Sequence, residues 1–441
     1  MQYWKKLTRS EIRNRVDEAL NHNIDYHERS ILGIPASHLD GNVFNKDADS
    51  LDNAPFLKTM VANPNHIGCH TMGESEPFFA GTQKLEQELI SIVAEDILNC
   101  ESDKYDGYVA SGGTEANIQA IWIYRNLFKK EFGANYDEMC ILFSEDSHYS
   151  MHKAGNVLNL DIITVPVTDN SREITRETVK QQIESAKARG KKYFIVVANM
   201  MTTMFGSVDD INIYSETLTN TGVEFRIHVD GAFGGFVYPF STNSEAMTFA
   251  NPHVSSVTLD AHKMVQAPFG TGIFIARKGL IDNVFTNEAQ YVSGLDATLI
   301  GSRSGANAIA VWMILQTYGP HDWFEKIHIL NHRSNWLCNQ LKEARVDFYR
   351  HPGSNIVTIR AKHVAKELAH KYGLVPDQHN GNAQWYKIVI MEHVHIDHLI
   401  PFVEELKQSE KVTNHSILVT KKHRGTHFPF RFFRTRFFAG K

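Results

Sequence analysis

Apolar and polar residues follow one another along the chain in blocks that predict strands, each followed by a helix. Seven short and nearly continuous apolar runs are typical of strands buried on both faces. They cover residues 108–110, 140–143, 161–167, 193–198, 225–229, 254–259 and 272–276. Between them, apolar residues at helical spacing, such as Ile118, Ile121 and Leu127, predict helices with one buried face. The alternation predicts an α/β fold with a mostly parallel seven-stranded sheet covered on both faces.

The pattern changes on either side of this block. Before it, the sequence predicts a short helix over 11–19, irregular structure to about residue 60, and a helix from Thr82. After Gly319 it predicts a smaller α+β unit, with helices over 323–344, 363–371 and 396–407 and strands over 355–360 and 386–391. We therefore divide the chain into an N-terminal segment (1–62), a large domain (63–319), a small C-terminal domain (320–410) and a tail (411–441).

Composition narrows the class of protein. The 441 residues are 42% hydrophobic and 22% charged, as in an ordinary soluble protein. A formal charge of −5 gives no general reason to expect nucleic acid or an anionic membrane as a partner. No apolar run approaches the ~20 residues needed to span a bilayer, and the polar start does not read as a signal peptide. The four cysteines have neither metal-ligand nor redox spacing, so we expect reduced thiols in a cytoplasmic protein.

Polar motifs occur where the predicted strands end, which is where α/β sheets bind ligands. The run 255–264 brings Lys263 beside His262 directly after an apolar strand. A partly desolvated lysine held by a strand end loses its proton easily and becomes a nucleophile toward an aldehyde. The turn Ser111–Thr114 lies between a strand and a helix and is either a plain tight turn or a phosphate site.

A second strand end supplies a carboxylate and a small residue. Asp230 is either a helix cap or a buried carboxylate that needs a cationic partner, for which a protonated pyridine nitrogen would serve. Ala232 is small enough to lie against a flat ring, and His148 is either a stacking group on the other face or a loop histidine. Together with Lys263, these residues suit pyridoxal 5′-phosphate.

Five motifs, taken in their order along the chain, resemble those of the group II pyridoxal-phosphate-dependent amino-acid decarboxylases. The resemblance covers about residues 63–406 and is greatest for the bacterial histidine decarboxylases and the archaeal tyrosine/aspartate decarboxylases; sphingosine-phosphate lyases are more distant. The motifs are Ser111–Asn117, Ser147–Ser150, His228–Ala232, Asp260–Met264 and Gly301–Gly305. The resemblance implies a fold-type I enzyme, a homodimer with its active site at the subunit interface, and decarboxylation of an L-amino acid to an amine and carbon dioxide.

The resemblance also implies a role for individual residues at the cofactor. Lys263 would hold the cofactor covalently, and Asp230 would pair with the pyridine nitrogen. His148 and Ala232 would lie on opposite faces of the ring. The phosphate would be bound by the following set: Gly112, Gly113, Thr114, His262 and, from the neighbouring subunit, Ser302.

Three further residues are implied around the substrate. Thr203 matches a threonine near the cofactor's phenolic oxygen or the substrate carboxylate. Tyr291 matches a loop tyrosine that can protonate the substrate carbon. Lys387 falls where relatives often carry an arginine for the substrate carboxylate, and it keeps the charge without the bidentate geometry.

Two positions depart from the pattern of the family. Asp260 stands where many members have serine, although the archaeal and lyase branches also have aspartate there. Met201 replaces the usual glycine before the paired threonines and is expected to narrow the site. These departures bear on the branch and the substrate.

Alternatives to decarboxylation remain at this stage. A C–C lyase or a β-eliminating lyase would use the same residues on a modified amino acid or an amino alcohol, whereas a pseudoenzyme would be expected to lack the lysine or the aspartate. A zinc site is a minor alternative, since His393, His395 and His398 lie close together in sequence. The basic, phenylalanine-containing tail is expected to pack against another subunit or to be disordered, and an anion- or nucleic-acid-binding arm is the alternative.

The substrate is not fixed by the sequence. Aspartate, glutamate, tyrosine and histidine are the candidates. The loop 63–79 is expected to line the pocket, and Phe78 and Phe79 would favour an aromatic or imidazole substrate. The other candidate pocket groups of this loop are His66, His70, Glu74 and Glu76.

Overall fold

The computed structural model describes residues 4–23, 49–61, 77–286 and 295–408. The expectations that fall outside these residues concern Tyr291, the loop residues His66, His70, Glu74 and Glu76, and the tail. Everything that follows refers to the described ranges.

A seven-stranded sheet forms the centre of the larger part of the chain. Its strands are β1 (Tyr105–Ala110), β2 (Met139–Ser144), β3 (Asp161–Val165), β4 (Tyr193–Asn199), β5 (Glu224–Gly231), β6 (Val254–Asp260) and β7 (Gly272–Arg277). Their order is β1-β7-β6-β5-β4-β2-β3, and β7 runs antiparallel to both of its neighbours. The other pairs are parallel. The predicted α/β fold is confirmed. Strand β3 ends at Val165 and not at residue 167, because Pro166 has no N–H to donate.

Helices surround this sheet and link it to the smaller part of the chain. They are α1 (Arg9–His22), α2 (Pro55–Val61), α3 (Ala80–Ser91), α4 (Gly113–Phe132), α5 (Ser150–Leu158), α6 (Arg176–Ala188), α7 (Ile211–Thr221), α8 (Tyr238–Ser241), α9 (Gly305–Glu343), α10 (Lys366–Lys371) and α11 (residues 396–408). Within the described ranges, no helix is both long enough and apolar enough to cross a membrane.

Alternate residues of each central strand belong to different apolar layers. In β4, Ile195 and Val197 pack in the layer that holds α4 and α5, whereas Phe194 and Val196 pack in the layer that holds α6 and α7. Full burial of one such side chain stabilises the fold by about 1.5–3 kcal/mol. The continuous apolar runs therefore follow from burial on both faces.

Several helix boundaries differ from the predictions. Helix α2 was predicted as irregular structure, and α3 begins at Ala80 and continues into a π-helix over Ile92–Ile97. Helix α9 begins well before the predicted residue 323 and is interrupted at Gly319, which has a φ of 62° and precedes Pro320. Proline disfavours the helical conformation of the residue before it, and glycine takes a positive φ readily. The predicted domain boundary falls at this interruption and stays a prediction.

A four-stranded antiparallel sheet forms the centre of the smaller part. Its order is β10-β11-β9-β8, with β8 (Phe348–Tyr349), β9 (Ile356–Arg360), β10 (Val375–Pro376) and β11 (Trp385–Val389). The predicted small α+β unit is confirmed. Strands β8 and β10 were missed because two residues are too short for any periodicity.

Candidate active site

The carboxyl ends of β1, β2, β4, β5 and β6 meet at a cavity of about 330 Å³. The residues predicted from the sequence that line it are Gly112, Gly113, Thr114, His148, Thr203, Asp230, Ala232, His262 and Lys263. Most of these side chains come from distant parts of the sequence, and the parallel sheet brings them together because its strands end at one edge.

The glycine turn lies at the amino end of the long helix α4. Gly112 is the N-cap residue, and no side chain caps the helix there. The first N–H groups of a helix have no partner within it and favour an anion. Gly113 lies so close to β6 that a Cβ would approach Asp260 Oδ2 to 2.8 Å and the Cβ of Ala232 to 3.1 Å. This part of the cavity can therefore hold a phosphate against the backbone.

The lysine lies at the end of β6 beside a buried carboxylate. Lys263 Nζ is 3.0 Å from Asp260 Oδ2, and His262 Nε2 is 3.6 Å from the same oxygen. Burial raises the pKa of Asp260, while the neighbouring Lys263 and His262 act in the opposite direction. The Lys263 side chain is about one-third exposed, so its amine can be reached from the cavity.

Two buried polar atoms near the glycine turn test whether the cavity fits pyridoxal phosphate. Across the described residues, neither Asp260 Oδ1 nor His262 Nδ1 has a hydrogen-bond partner. Leaving a buried ring nitrogen unpaired is costly, so His262 Nδ1 points to a ligand that can accept a hydrogen bond, whereas the carboxylate oxygen of Asp260 cannot pair with an anion. A phosphate beside His262 would accept a hydrogen bond from its ring, and the residues therefore fit the cofactor.

Asp230 supplies the second carboxylate of the site. Its Oδ2 accepts a hydrogen bond of 2.9 Å from Asn117 Nδ2, and its Oδ1 accepts one of 3.1 Å from the N–H of Ala232. Both donors are neutral, and the carboxylate faces the cavity. A cationic ring nitrogen would complete this arrangement.

His148 reaches the cavity from the turn after β2. Its Nδ1 lies 2.8 Å from the hydroxyl of Ser150. Burial lowers the pKa of His148. The charge of Asp230 opposes this effect, and the charge of Lys263 adds to it. A neutral imidazole held by Ser150 is suited to stacking on a flat ring.

Thr203 and Lys387 meet at the edge of the site. Lys387 Nζ donates a 3.0 Å hydrogen bond to the backbone carbonyl of Thr203. Burial and, to a smaller extent, the charge of Lys263 lower the pKa of Lys387. Lys387 therefore contacts a residue that lines the cavity but does not line it itself. Ser302 is exposed and does not line the cavity of its own chain. Met201, which lines the cavity, has a φ of 70°, the region that glycine favours.

Residues that the sequence reasoning did not assign complete the wall. Tyr149, Phe233 and Phe269 line the cavity, and Phe269 is 89% exposed. Phe78 and Phe79 were expected in this role, but neither is among the described lining residues. Asn117 was also missed; its signal was a polar side chain on an otherwise apolar helix face.

The histidine cluster near residue 395 does not resemble a metal centre. His398 Nδ1 lies 2.8 Å from the backbone carbonyl of His393. Among the described residues there is no group of three or more histidine, cysteine, aspartate or glutamate side chains that could hold a metal ion.

Comparison with known proteins identifies the family. The family model described as the pyridoxal-dependent decarboxylase conserved domain matches residues 40–349, which is more than half of the chain. The chain belongs to this decarboxylase family. Pyridoxal phosphate is therefore the cofactor of this decarboxylase, and an amino acid is its substrate.

Individual relatives sharpen the comparison. The decarboxylase is 50% identical to the tryptophan decarboxylase of Clostridium sporogenes over 93% of this chain and 99% of that protein. It is 31% identical to the L-aspartate decarboxylase of Thermococcus kodakarensis over 75% of this chain and 83% of that protein. The predicted likeness to aspartate decarboxylases is confirmed, but the tryptophan enzyme is more similar and was not foreseen.

A solved structure supports the fold. L-methionine decarboxylase from Streptomyces sp.590, in complex with 3-methylthiopropylamine, superposes with a TM-score of 0.67 at 19% identity. The superposition covers 90% of this decarboxylase and 94% of that chain. The expected fold of pyridoxal-phosphate decarboxylases is confirmed.

Proposed function

We propose that this decarboxylase acts on an aromatic L-amino acid, with L-tryptophan as the preferred substrate. The observation that carries the proposal is the 50% identity, over nearly the whole length of both chains, to a protein named tryptophan decarboxylase. The cavity wall supports it, because Tyr149, Phe233 and Phe269 offer aromatic surface to an indole ring. Tryptophan was not among the four substrates considered from the sequence alone.

The site residues are assigned roles that fit their positions. When bound, pyridoxal phosphate supplies an electron sink for the bond that breaks. Lys263 would hold the cofactor covalently, and Asp230 would pair with its ring nitrogen. His148 and Ala232, which both line the cavity, would hold the ring between them. The phosphate is bound by the following set: Gly112, Gly113, Thr114, His262 and Ser302 of the partner subunit.

The substrate carboxylate is assigned to the edge where Thr203 and Lys387 meet. Lys387 contributes positive charge there, and its bond to the Thr203 carbonyl fixes the loop that carries the threonine. Tyr291, which lies outside the described residues, is assigned the role of returning a proton to the substrate carbon.

We also infer a homodimer that completes the site. Phe269 is 89% exposed beside the cavity, and Ile300, which precedes the motif that contains Ser302, is 49% exposed. Exposed apolar side chains at the mouth of a site favour coverage by a second copy. The oligomeric state in solution, measured by light scattering, tests this: a monomer at working concentration would contradict it.

The substrate is tested by incubating the holoenzyme with each of the aromatic amino acids and with histidine, aspartate and glutamate. Carbon dioxide should be released faster from L-tryptophan than from the other amino acids, and the amine formed should be tryptamine. Amine from aspartate or glutamate alone would overturn the aromatic assignment. Release of an aldehyde or ammonia in place of carbon dioxide would favour the C–C lyase or β-eliminating lyase instead.

A further inference from the structure

A hydrogen-bonded chain of buried side chains runs from Asp230 into the core. Its central member is Asn117, which projects from α4 and is 1% exposed. Its Nδ2 donates to Asp230 Oδ2 at 2.9 Å and to the hydroxyl of Ser150 at 3.2 Å. Because Ser150 in turn contacts His148 Nδ1 at 2.8 Å, one amide group joins both residues assigned to the cofactor ring.

The other side of this amide is fixed by a second group of residues. Asn117 Oδ1 lies 2.9 Å from His228 Nε2, and His228 Nδ1 lies 2.7 Å from the hydroxyl of Ser256. Ser256 is also hydrogen-bonded to the hydroxyl of Tyr124. His228, Ser256 and Tyr124 are all fully buried.

The direction of each bond follows from the chemistry of the groups. Burial lowers the pKa of His228 to about 4, so the ring is neutral and has one N–H. That N–H lies on Nε2 and donates to Asn117 Oδ1, with the hydroxyl of Thr258 as a second contact of Nε2 at 3.1 Å. Nδ1 accepts from Ser256, which accepts from Tyr124. The chain therefore fixes the orientation of the amide, because a flipped Asn117 would put its oxygen against the carboxylate of Asp230 and lose the bond from His228.

The surroundings of this hydrogen-bonded chain of side chains argue against a purely structural role for it. It crosses the apolar layer formed by α4 and the sheet, where residues such as Ile121 and Phe274 pack. Burying this many polar groups gains little stability over apolar side chains of similar size. The chain does, however, end at the carboxylate that faces the cavity.

We propose that Asn117 is a positioning residue for the cofactor, which orients Asp230 toward the ring nitrogen, and that His228, Ser256 and Tyr124 hold Asn117 in the required orientation. The proposal rests on the role assigned to Asp230 under the proposed function. It predicts that Asn117 matters only for a ligand that has a ring nitrogen.

The test compares two cofactors on the apoenzyme. Pyridoxal phosphate and its 1-deaza analogue, in which carbon replaces the ring nitrogen, are titrated into the wild type and into Asn117→Ala, and their dissociation constants are measured. The wild type should bind pyridoxal phosphate much more tightly than the analogue. Asn117→Ala should reduce that preference roughly tenfold, the usual effect of one hydrogen bond to a charged group. If Asn117→Ala does not fold, Asn117→Ser, whose hydroxyl is too short to reach Asp230, replaces it.

Asn126→Ala is the matched control. Asn126 lies on the same helix and its amide bonds to the backbone carbonyl of Asn283 at 3.0 Å, away from the cavity. This variant should keep the wild-type preference. Equal weakening of both cofactors in Asn117→Ala would show a merely structural role and would overturn the inference. Absence of any preference in the wild type would instead overturn the role of Asp230 itself.

Discussion

Two buried carboxylates near the seven-stranded sheet have opposite surroundings. Glu86, on α3, forms a bidentate ion pair with Arg303. It also accepts a 2.8 Å hydrogen bond from the N–H of Val109. Arg303 lies 5.2 Å from the ring centroid of Tyr108 and donates to the carbonyl of Val109 at 3.2 Å. Both charged side chains are almost completely buried. Asp230, in contrast, is bound by two neutral N–H groups and faces a cavity.

The difference distinguishes a carboxylate that stabilises the fold from one that is available to a ligand. In the first case the cation is part of the chain, so the pair is complete without a ligand and joins α3 and β1 to the start of α9. In the second case the hydrogen bonds come from the chain, and under the proposed function the cation comes from the cofactor. We expect substitutions at the first carboxylate to change stability and substitutions at the second to change cofactor chemistry.

The largest expected effect on stability is at the ion pair. Arg303→Met should lower the free energy of unfolding by about 4 kcal/mol, because it leaves the charge of Glu86 buried without a cation. Denaturant unfolding of the apoenzyme measures this. The double variant Arg303→Met/Glu86→Leu should recover much of the loss, and a single variant as stable as the wild type would remove the distinction between the two carboxylates.

Asp230→Asn should have a comparable effect on catalysis. The amide has the same shape but no charge, so kcat/KM should fall about a thousandfold, the upper range for losing one preorganised electrostatic contact. Steady-state kinetics at saturating cofactor measure the change, and denaturant unfolding of the apoenzyme should show a loss of about 1–3 kcal/mol, because the amide NH2 would face one of the two N–H donors. Full activity in this variant would be incompatible with a cationic ring nitrogen at Asp230.

A smaller effect is expected from the histidine behind Asp230 when the pH is lowered. The pKa of His228 is about 4 in the folded protein and about 6.5 in an unfolded chain, so protonation favours unfolding. Stability should therefore be lost as pH falls from about 6.5 to 4, by up to roughly 3 kcal/mol from this group.

Comparison with His228→Gln isolates this contribution. Burial raises the pKa of Asp96 and Asp209 to about 6, which adds stability as pH falls, but it does so in both proteins and cancels in the difference. Urea unfolding at several pH values should give curves for the two proteins that converge toward pH 4. Parallel curves would mean that the pKa of His228 is the same in the folded and the unfolded protein, and would contradict the account.

The smallest expected effect is at Lys387. Lys387→Met should raise KM for the amino acid about tenfold, through loss of one charged contact, and leave inhibition by the product amine unchanged because the amine has no carboxylate. Lys362→Met, at an exposed lysine that pairs with Asp347, is the control and should change neither constant. Equal weakening of amino acid and amine would show that Lys387 acts only by fixing Thr203.

The sequence predicts the large sheet well because burial on both faces leaves continuous apolar runs. It predicts that Lys263 and Asp230 lie at the same site for the same reason, because each is found where such an apolar run ends. It does not predict the contact of Asn117 with Asp230 or with His228, which joins residues 113 and 111 positions apart. Such contacts depend on how α4 packs across β5, which periodicity does not encode.

The smaller errors also have physical causes. The aromatic wall was sought at Phe78 and Phe79, but Phe79 is buried outside the cavity and Phe269 is there instead. Nothing in local sequence tells an aromatic residue beside a cavity from one in the core. The roles of the lining residues stay predictions until they are tested.

The most direct test of the account is to find where the cofactor is attached. Holoenzyme is reduced with borohydride, digested, and analysed by mass spectrometry. The account predicts a pyridoxyl group on the peptide that contains Lys263, and none in Lys263→Ala. A pyridoxyl group on another lysine of the wild-type enzyme would contradict it.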